Sequence, residues 1–213
     1  KRLMVSLVDA ATPFVFVNAA DIGARGTELP EQISSNPELK ARLEYVRGWA
    51  AETLGLAASP ATAAAETPNI PRVIMVSSRQ EYSAIDGRSI GRQDADLVVR
   101  QMAMQRPHKA LAVTGAVCTS VASRIPGTIV EECAAPGESG EIRIGHPSGI
   151  LTTRVTIETR PDGTLEILEA KIDRTARLLM AGLVYVSQKR VLALNEMLSA
   201  KSAGTVTESS LAA

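Results

Sequence analysis

Ala112-Val113-Thr114-Gly115-Ala116-Val117-Cys118-Thr119-Ser120-Val121-Ala122-Ser123-Arg124-Ile125 is the stretch on which the fold turns. From 114 to 125, Ala116, Val117, Cys118, Val121, Ala122 and Ile125 leave almost no polar face, while Gly115, Ser120 and Ser123 are small. A helix apolar on nearly every side has no surface to lie on, so the pattern predicts a helix in the middle of a domain. Downstream the pattern is β: residues 128–130, 141–144, 150–158 and 164–171 read as strands, punctuated by Pro136-Gly137, Pro147-Ser148-Gly149 and Pro161-Asp162-Gly163. The last of these is a strong hairpin signal. Residues 177–186 alternate weakly and are expected to close the sheet, and 189–198 read as a terminal helix.

Upstream, residues 3–8 and 14–18 read as a strand pair bent at Pro13, which cannot donate to a ladder. Leu39, Leu43, Val46, Ala50 and Leu54 recur at helical steps, with Lys40, Arg42, Glu44 and Arg47 on the other face. Residues 57–71, Ala-rich with three prolines, read as a loop without an element. Residues 73–76 read as a buried strand, Asp86-Gly87 as a turn, and 94–104 as a helix through Ala95, Val98, Val99 and Met102. The predicted architecture is α+β: a curled, mainly antiparallel sheet wrapped around a central buried helix. Lys1 stands directly before the first strand with no initiator Met, so a further upstream part is expected.

Composition narrows the function. Lys plus Arg and Asp plus Glu are each 23 of 213 residues, which leaves no general field to draw nucleic acid or an anionic membrane. Aromatic residues are 3%, too few for base-stacking platforms, while 45% apolar residues supply a sizeable core. The two cysteines, Cys118 and Cys133, make no disulfide framework and no zinc spacing, which fits a cytoplasmic protein. No run reaches the length of a membrane span.

Three places could carry chemistry. The start of the buried helix, Thr114-Gly115-Ala116, presents unpaired backbone N–H groups and a positive dipole that can hold a carboxylate without metal; an ordinary Thr cap is the plainer reading. Gly145-His146-Pro147-Ser148-Gly149 joins an imidazole, a hydroxyl and close backbone approach in one tight turn, although most such patterns are only turns. His108 and Lys109 precede the helix and offer an anchor or a base, and Arg143, Arg174 and Arg177 offer guanidinium groups. Thr12, before Pro13, completes the set. No acidic residue lies near His146 and Ser148 to make a hydrolase triad.

Taken in order, residues 8–17 around Thr12-Pro13, then Gly26-Thr27-Glu28-Leu29-Pro30, His108-Lys109-Ala110 with Thr114-Gly115-Ala116, Ile125-Pro126-Gly127-Thr128, Gly145-His146-Pro147-Ser148-Gly149, and residues 174–186 resemble the successive signatures of the C-terminal half of PrpF-type proteins. The resemblance runs from about residue 3 to 186, and ordered segments are more specific than any one motif. It implies a diaminopimelate-epimerase-like lobe over 1–186, followed by a terminal helix at 187–199 and a disordered tail at 200–213.

The order also looks like the second lobe of diaminopimelate epimerase, where an Asn-Pro turn and a Cys-Gly-Thr-Gly-Ala segment stand. Here the matching residues are Thr12-Pro13 and Ala112-Val113-Thr114-Gly115-Ala116, so the second epimerase cysteine is missing. That departure argues against an amino-acid epimerase or racemase. The resemblance implies a cofactor-independent isomerase, without metal, that shifts a proton or double bond on small unsaturated di- or tricarboxylates such as aconitate, 2-methylaconitate or methylitaconate. It places the catalytic Lys and Cys in an N-terminal lobe, the expected partner, and none in this chain. Substrate binding falls to Thr12, Thr114, Gly115, Ala116, His146, Ser148 and Gly149, with His108, Lys109 and Arg177 as further candidates. A non-catalytic binding or assembly lobe is the alternative, and homo-oligomerisation stays open.

Overall fold

The computed structural model describes residues 2–135, 140–173 and 176–206. The chain divides into two units, Lys1–Arg174 and Thr175–Ala213. In chain order the elements are β1 (Val5–Asp9), β2 (Pro13–Asn18), a 3-10 turn (Ala19–Ile22), α1 (Pro30–Ser34), α2 (Pro37–Thr53), α3 (Ala63–Glu66), β3 (Arg72–Ser78), β4 (Tyr82–Ser83), β5 (Ser89–Ile90), β6 (Leu97–Ala103), β7 (Arg106–Pro107), α4 (Val113–Ala122), α5 (Ile129–Cys133), β8 (Glu141–His146), β9 (Gly149–Thr159), β10 (Leu165–Ile172) and α6 (Gln188–Val206).

The main sheet of the first unit runs β1-β2-β3-β6-β8-β9-β10, with β7 paired to β6. Neighbours are antiparallel except β2 with β3 and β6 with β8. Both ends of this order, β1 and β2 on one side and β9 and β10 on the other, touch α4, so the sheet curls around that helix.

Alternation along β2 divides the packing. Phe14 and Phe16 face inward with Ile74, Val76, Leu97, Val99, Ile142 and Ile144 onto Ala116, Cys118 and Ala122 of α4 and Ile129, Val130 and Cys133 of α5. Val15 and Val17 face outward with Val73 and Met75 onto Leu39, Leu43 and Val46 of α2. The expected central helix is therefore present, and its hydroxyls are satisfied locally. Thr119 donates to Gly115 O, Ser120 to Ala116 O and Ser123 to Ser120 O, so no polar group of this face is stranded. Ser120 also meets the hydroxyl of Thr153 on β9. Two bonds join the start of the chain to α5: the Ser6 hydroxyl accepts from Ile129 N–H at 3.0 Å, and Asn18 Nδ2 approaches Cys133 Sγ at 3.7 Å.

Several expectations are corrected. Residues 94–104 are not a helix; their apolar core is β6, whose residues from Leu97 to Met102 are all buried. A central strand covered on both faces carries a continuous apolar run, which a helical spacing fits as easily as a strand. Residues 128–130 are not a strand either. Thr128 caps α5 by accepting from Glu131 N–H at 3.1 Å, and Cys133 consequently sits in a helix. The loop at 57–71 contains one helical turn, α3, with Glu66 accepting from Ala58 N–H.

In the second unit, residues 176–187 form no strand, against the expected closing strand, and their apolar side chains from Leu178 to Val186 are exposed. Helix α6 runs to Val206, further than the spacing predicts; residues 207–213 of the expected tail lie outside the described residues.

Candidate functional site

Strand register and a few side-chain bonds set where the scattered candidates lie in the first unit. Phe14 pairs with Arg72, Ile74 with Gln101, Val98 with Gly145 and His146 with Gly149. β6 runs parallel to β8 with Leu97 beside Ile144 and Val98 beside Gly145, so β8 ends beside the middle of β6 and the Pro147-Ser148 turn that joins it to β9 meets the segment before α4, Ser148 bonding to Lys109; this turn, residues 108–112 and the start of α4 form one rim. Thr12 lies in the turn before β2, beside the start of β3, and its hydroxyl donates to Ala11 O at 2.8 Å. Because Ser120, late in α4, meets Thr153 opposite Ile142, the first turn of α4 faces the His146 end of the same strands.

That helix end is open. Thr114 is not the cap: the cap position is Ala112, no side chain caps it, and Val113 beside it is exposed. The first N–H groups of α4 thus keep the partial positive charge that an uncapped N-terminus carries. One neutral group defines its approach. Gln101, 1% exposed, accepts the Ala112 N–H on Oε1 at 3.1 Å, and its Nε2 is buried without a hydrogen-bond partner. Gly115 leaves room for this contact, since a Cβ there would stand 2.5 Å from Gln101 Oε1. From β3, Arg72 reaches the Thr114 hydroxyl with Nη1 at 3.4 Å.

The turn is tied to the segment before the helix. Ser148 Oγ donates to Lys109 O at 2.5 Å, so the single hydroxyl proton is spent on backbone and only lone pairs remain. Ser148 N–H donates to His146 Nδ1 at 3.2 Å, and Ala110 N–H donates to His108 Nδ1 at 3.0 Å. Each ring accepts on Nδ1 and keeps Nε2–H as its donor. Ile142 and Ile144 pack toward α4, and alternation puts the His146 side chain on that face as well. Burial pushes the His146 pKa down from 6.5 to about 4, helped by the Arg100 guanidinium and then by His108, so this imidazole is neutral at pH 7. Gly149 closes the turn at φ 132°, a conformation open to glycine and strained for other residues.

Thr114, Gly115, Ala116, His146, Ser148 and Gly149 are thus gathered with His108 and Lys109 at one rim, while Thr12 is placed by its register at the start of β2, beside Arg72 of β3. Arg143 is committed elsewhere: it pairs with the buried Asp96 carboxylate at 2.7 Å and donates to Gln93 O. Arg177 is exposed in the second unit, and Arg174 lies outside the described residues. Sequence reasoning missed Arg72, Gln101 and Tyr82. Only Gln101 left a trace, a polar residue inside an apolar run. The cysteines are not part of the rim: Cys118 donates to Val8 O and burial pushes its thiol up to about 12, and burial raises Cys133 too. Among the described residues no three His, Cys, Asp or Glu side chains converge as a metal site, and no helix is long and apolar enough to cross a membrane. A hollow of about 270 Å³ on the α2 side of the sheet is lined in part by Glu44 and Arg47, but these two groups satisfy each other.

The sequence profile of the PrpF protein family matches residues 1–187. The 3-methylitaconate isomerase of Eubacterium barkeri is 38% identical over 190 residues, covering 88% of this chain and 49% of the relative. The 2-methyl-aconitate isomerase of Shewanella oneidensis is 35% identical over 186 residues, covering 87% and 46%. Among solved structures, a methylitaconate-delta-isomerase superposes with a TM-score of 0.75 at 40% identity, covering 85% of this chain and 46% of that one. The chain spans about half the length of these relatives.

Proposed function

The chain belongs to the PrpF family, and we propose on that premise that it is one lobe of a cofactor-independent isomerase acting on small unsaturated di- or tricarboxylates. The names of its relatives support the reaction class, methylitaconate and methylaconitate being acids of this kind. The observation that carries the role of this lobe is the uncapped start of α4, set against the unpartnered Gln101 Nε2 on the rim that also holds the 146–149 turn.

A proton next to a conjugated carboxylate is removed to give a dienolate, which takes a proton back at another carbon or after rotation about the former double bond. Such an intermediate needs its carboxylates fixed and its developing charge met by donors already in place. In this reading the free first N–H groups of α4, at Val113, Thr114 and Gly115, receive one carboxylate, with Arg72 beside them and Ala116 N–H closing the first helical turn onto Ala112 O at 2.8 Å. His146 offers Nε2–H as a neutral donor, and Thr12 flanks the other side. The base and acid, a Lys and a Cys by the family resemblance, come from an N-terminal lobe that docks on this rim.

The test is a titration of the ¹⁵N-labelled chain with trans-aconitate, an unsaturated tricarboxylate. Amide shifts confined to residues 113–116 and 146–149 are expected, together with no turnover by the chain alone in proton NMR. Shifts elsewhere only, or isomerisation by this chain without a partner, would overturn the assignment.

A further inference from the structure

A feature outside the segments that carry the family resemblance lies behind the rim, on the face of the sheet away from α4. Strands β4 and β5 pair as a short hairpin around Asp86-Gly87, and this hairpin binds the backbone of the 146–149 turn at three carbonyls. The Tyr82 hydroxyl lies 2.6 Å from Gly149 O and 3.1 Å from His146 O, so its one proton is shared between the two residues that end β8 and begin β9. Ile85 N–H donates to Pro147 O at 2.8 Å. The ring packs closely over Gly145, where a Cβ would stand 3.0 Å from the hydroxyl and 3.1 Å from Cε1.

The ring itself is held firmly. Tyr82 is 5% exposed and packs with Ala84, Ile90 and Val98. The Arg100 guanidinium lies 5.0 Å from its centroid and is in turn fixed by donating to Glu28 O at 2.6 Å and Val99 O at 2.8 Å. On the α4 side, the turn is held by the Ser148 hydroxyl bonded to Lys109 O. The turn is therefore clamped between a rigid aromatic support outside and the approach to the helix inside.

We propose that the Tyr82–Ile90 hairpin sets the position of the substrate-facing turn, with Tyr82 as its positioning residue. Tyr82 does not face the rim and touches no substrate; it acts through the carbonyls of His146 and Gly149. This rests on the reading of the turn as part of a carboxylate site. Two groups meeting one ligand must hold their separation, and an error of about 1 Å at a supporting residue is enough to weaken such a site.

The experiment compares Tyr82→Phe with Val130→Ala, a core change in α5 chosen to lower stability without touching the rim. Phenylalanine keeps the ring and its contact with Arg100 and removes only the donor. Two quantities are read on the full chain: amide exchange at Ser148 and Gly149, and the Kd for trans-aconitate. Tyr82→Phe is expected to speed exchange at these two amides about tenfold and to raise Kd about three- to tenfold, with Val130→Ala leaving both at the starting values. Unchanged exchange in Tyr82→Phe, or equal weakening of binding in the two variants, overturns the positioning role. Absence of trans-aconitate binding by the unmutated chain overturns the carboxylate site instead, and the exchange measurement still decides whether the hairpin holds the turn.

Discussion

Arg72, the first residue of β3, extends its guanidinium to the Thr114 hydroxyl in the first turn of α4, with Nη1 and Oγ1 3.4 Å apart. A cation is thereby stationed beside a helix end that already carries partial positive charge, an arrangement that repels itself unless an anion lies between. Arg72→Ala is expected to weaken trans-aconitate binding about five- to tenfold, and to leave thermal stability within about 0.5 kcal/mol, the usual range for a partly exposed polar contact. Calorimetric titration checks the first expectation and a melting curve the second. Unchanged affinity would remove Arg72 from the site.

Gly115→Ala places a methyl group 2.5 Å from Gln101 Oε1 and 3.3 Å from Leu111 Cδ1. The Gln101 side chain is buried and already holds Ala112 N–H, so it has little room to withdraw. The expected cost is roughly 1–3 kcal/mol in a urea unfolding curve, although alanine outranks glycine as a helix former. A gain in stability would show that Gln101 moves freely.

His146 makes stability depend on pH in a defined window. Its folded pKa of about 4 lies below the ordinary 6.5, so between these values the unfolded chain binds more protons than the folded one. The contribution is fully present above pH 6.5 and is lost as pH falls toward 4, on the order of 2–3 kcal/mol in all. Urea midpoints at pH 7.5, 6.0 and 5.0 should fall in that order, and His146→Gln should flatten the decline. A midpoint that rises on acidification would contradict the burial of this ring.

Both thiols are free and buried, with Cys118 pushed up to about 12. A thiol so placed presents almost no thiolate at pH 8. Native protein is expected to react with an aromatic disulfide reagent far more slowly than unfolded protein, in which both cysteines should titrate at once. Rapid modification of Cys118 in the native state would show that the α4 core opens.

Ala122→Leu adds volume where α4 is 0% exposed and packed under the sheet. Overpacking of about 1–3 kcal/mol is expected from chemical denaturation. Full tolerance would mean that the helix is not enclosed as the structure has it.

The central helix was legible because its apolar residues leave no stripe for water, a property of the sequence alone. The hairpin at Pro161-Asp162-Gly163 was legible from turn chemistry, and its strands pair as expected, Thr159 with Leu165. β6 was not: Val98, Val99 and Met102 fit a helical stripe, and only the neighbours on both faces of Arg100 and Gln101 reveal a central strand. α5 was obscured by Ile129 and Val130, β-branched residues favoured in strands, although Thr128 with Glu131 and Glu132 carried the signature of a helix start. For the site, the glycines, hydroxyls and histidines stood out by type. Arg72 and Gln101 did not, because what distinguishes them is a register across β3 and β6 joined to a helix that begins after residue 110. Tyr82 gave no signal, since its acceptors are main-chain atoms more than sixty positions away.

The bonds from Ser6 to Ile129 and from Asn18 to Cys133 bear on the order of events during synthesis. Phe14 and Phe16 leave the ribosome well before the helices that cover them, α4 and α5, which end only at Ala122 and Cys133. At translation rates of about 5–20 residues per second, these two rings wait roughly 5 to 20 s for their cover. Pairing β1 with β2 is local and fast, but the cavity it helps to build closes only after a chain loop of more than 110 residues has been drawn in, a step that contact order makes slow. A nascent chain halted before residue 113 is therefore expected to bind holdase chaperones, and one extended past residue 146 to be released.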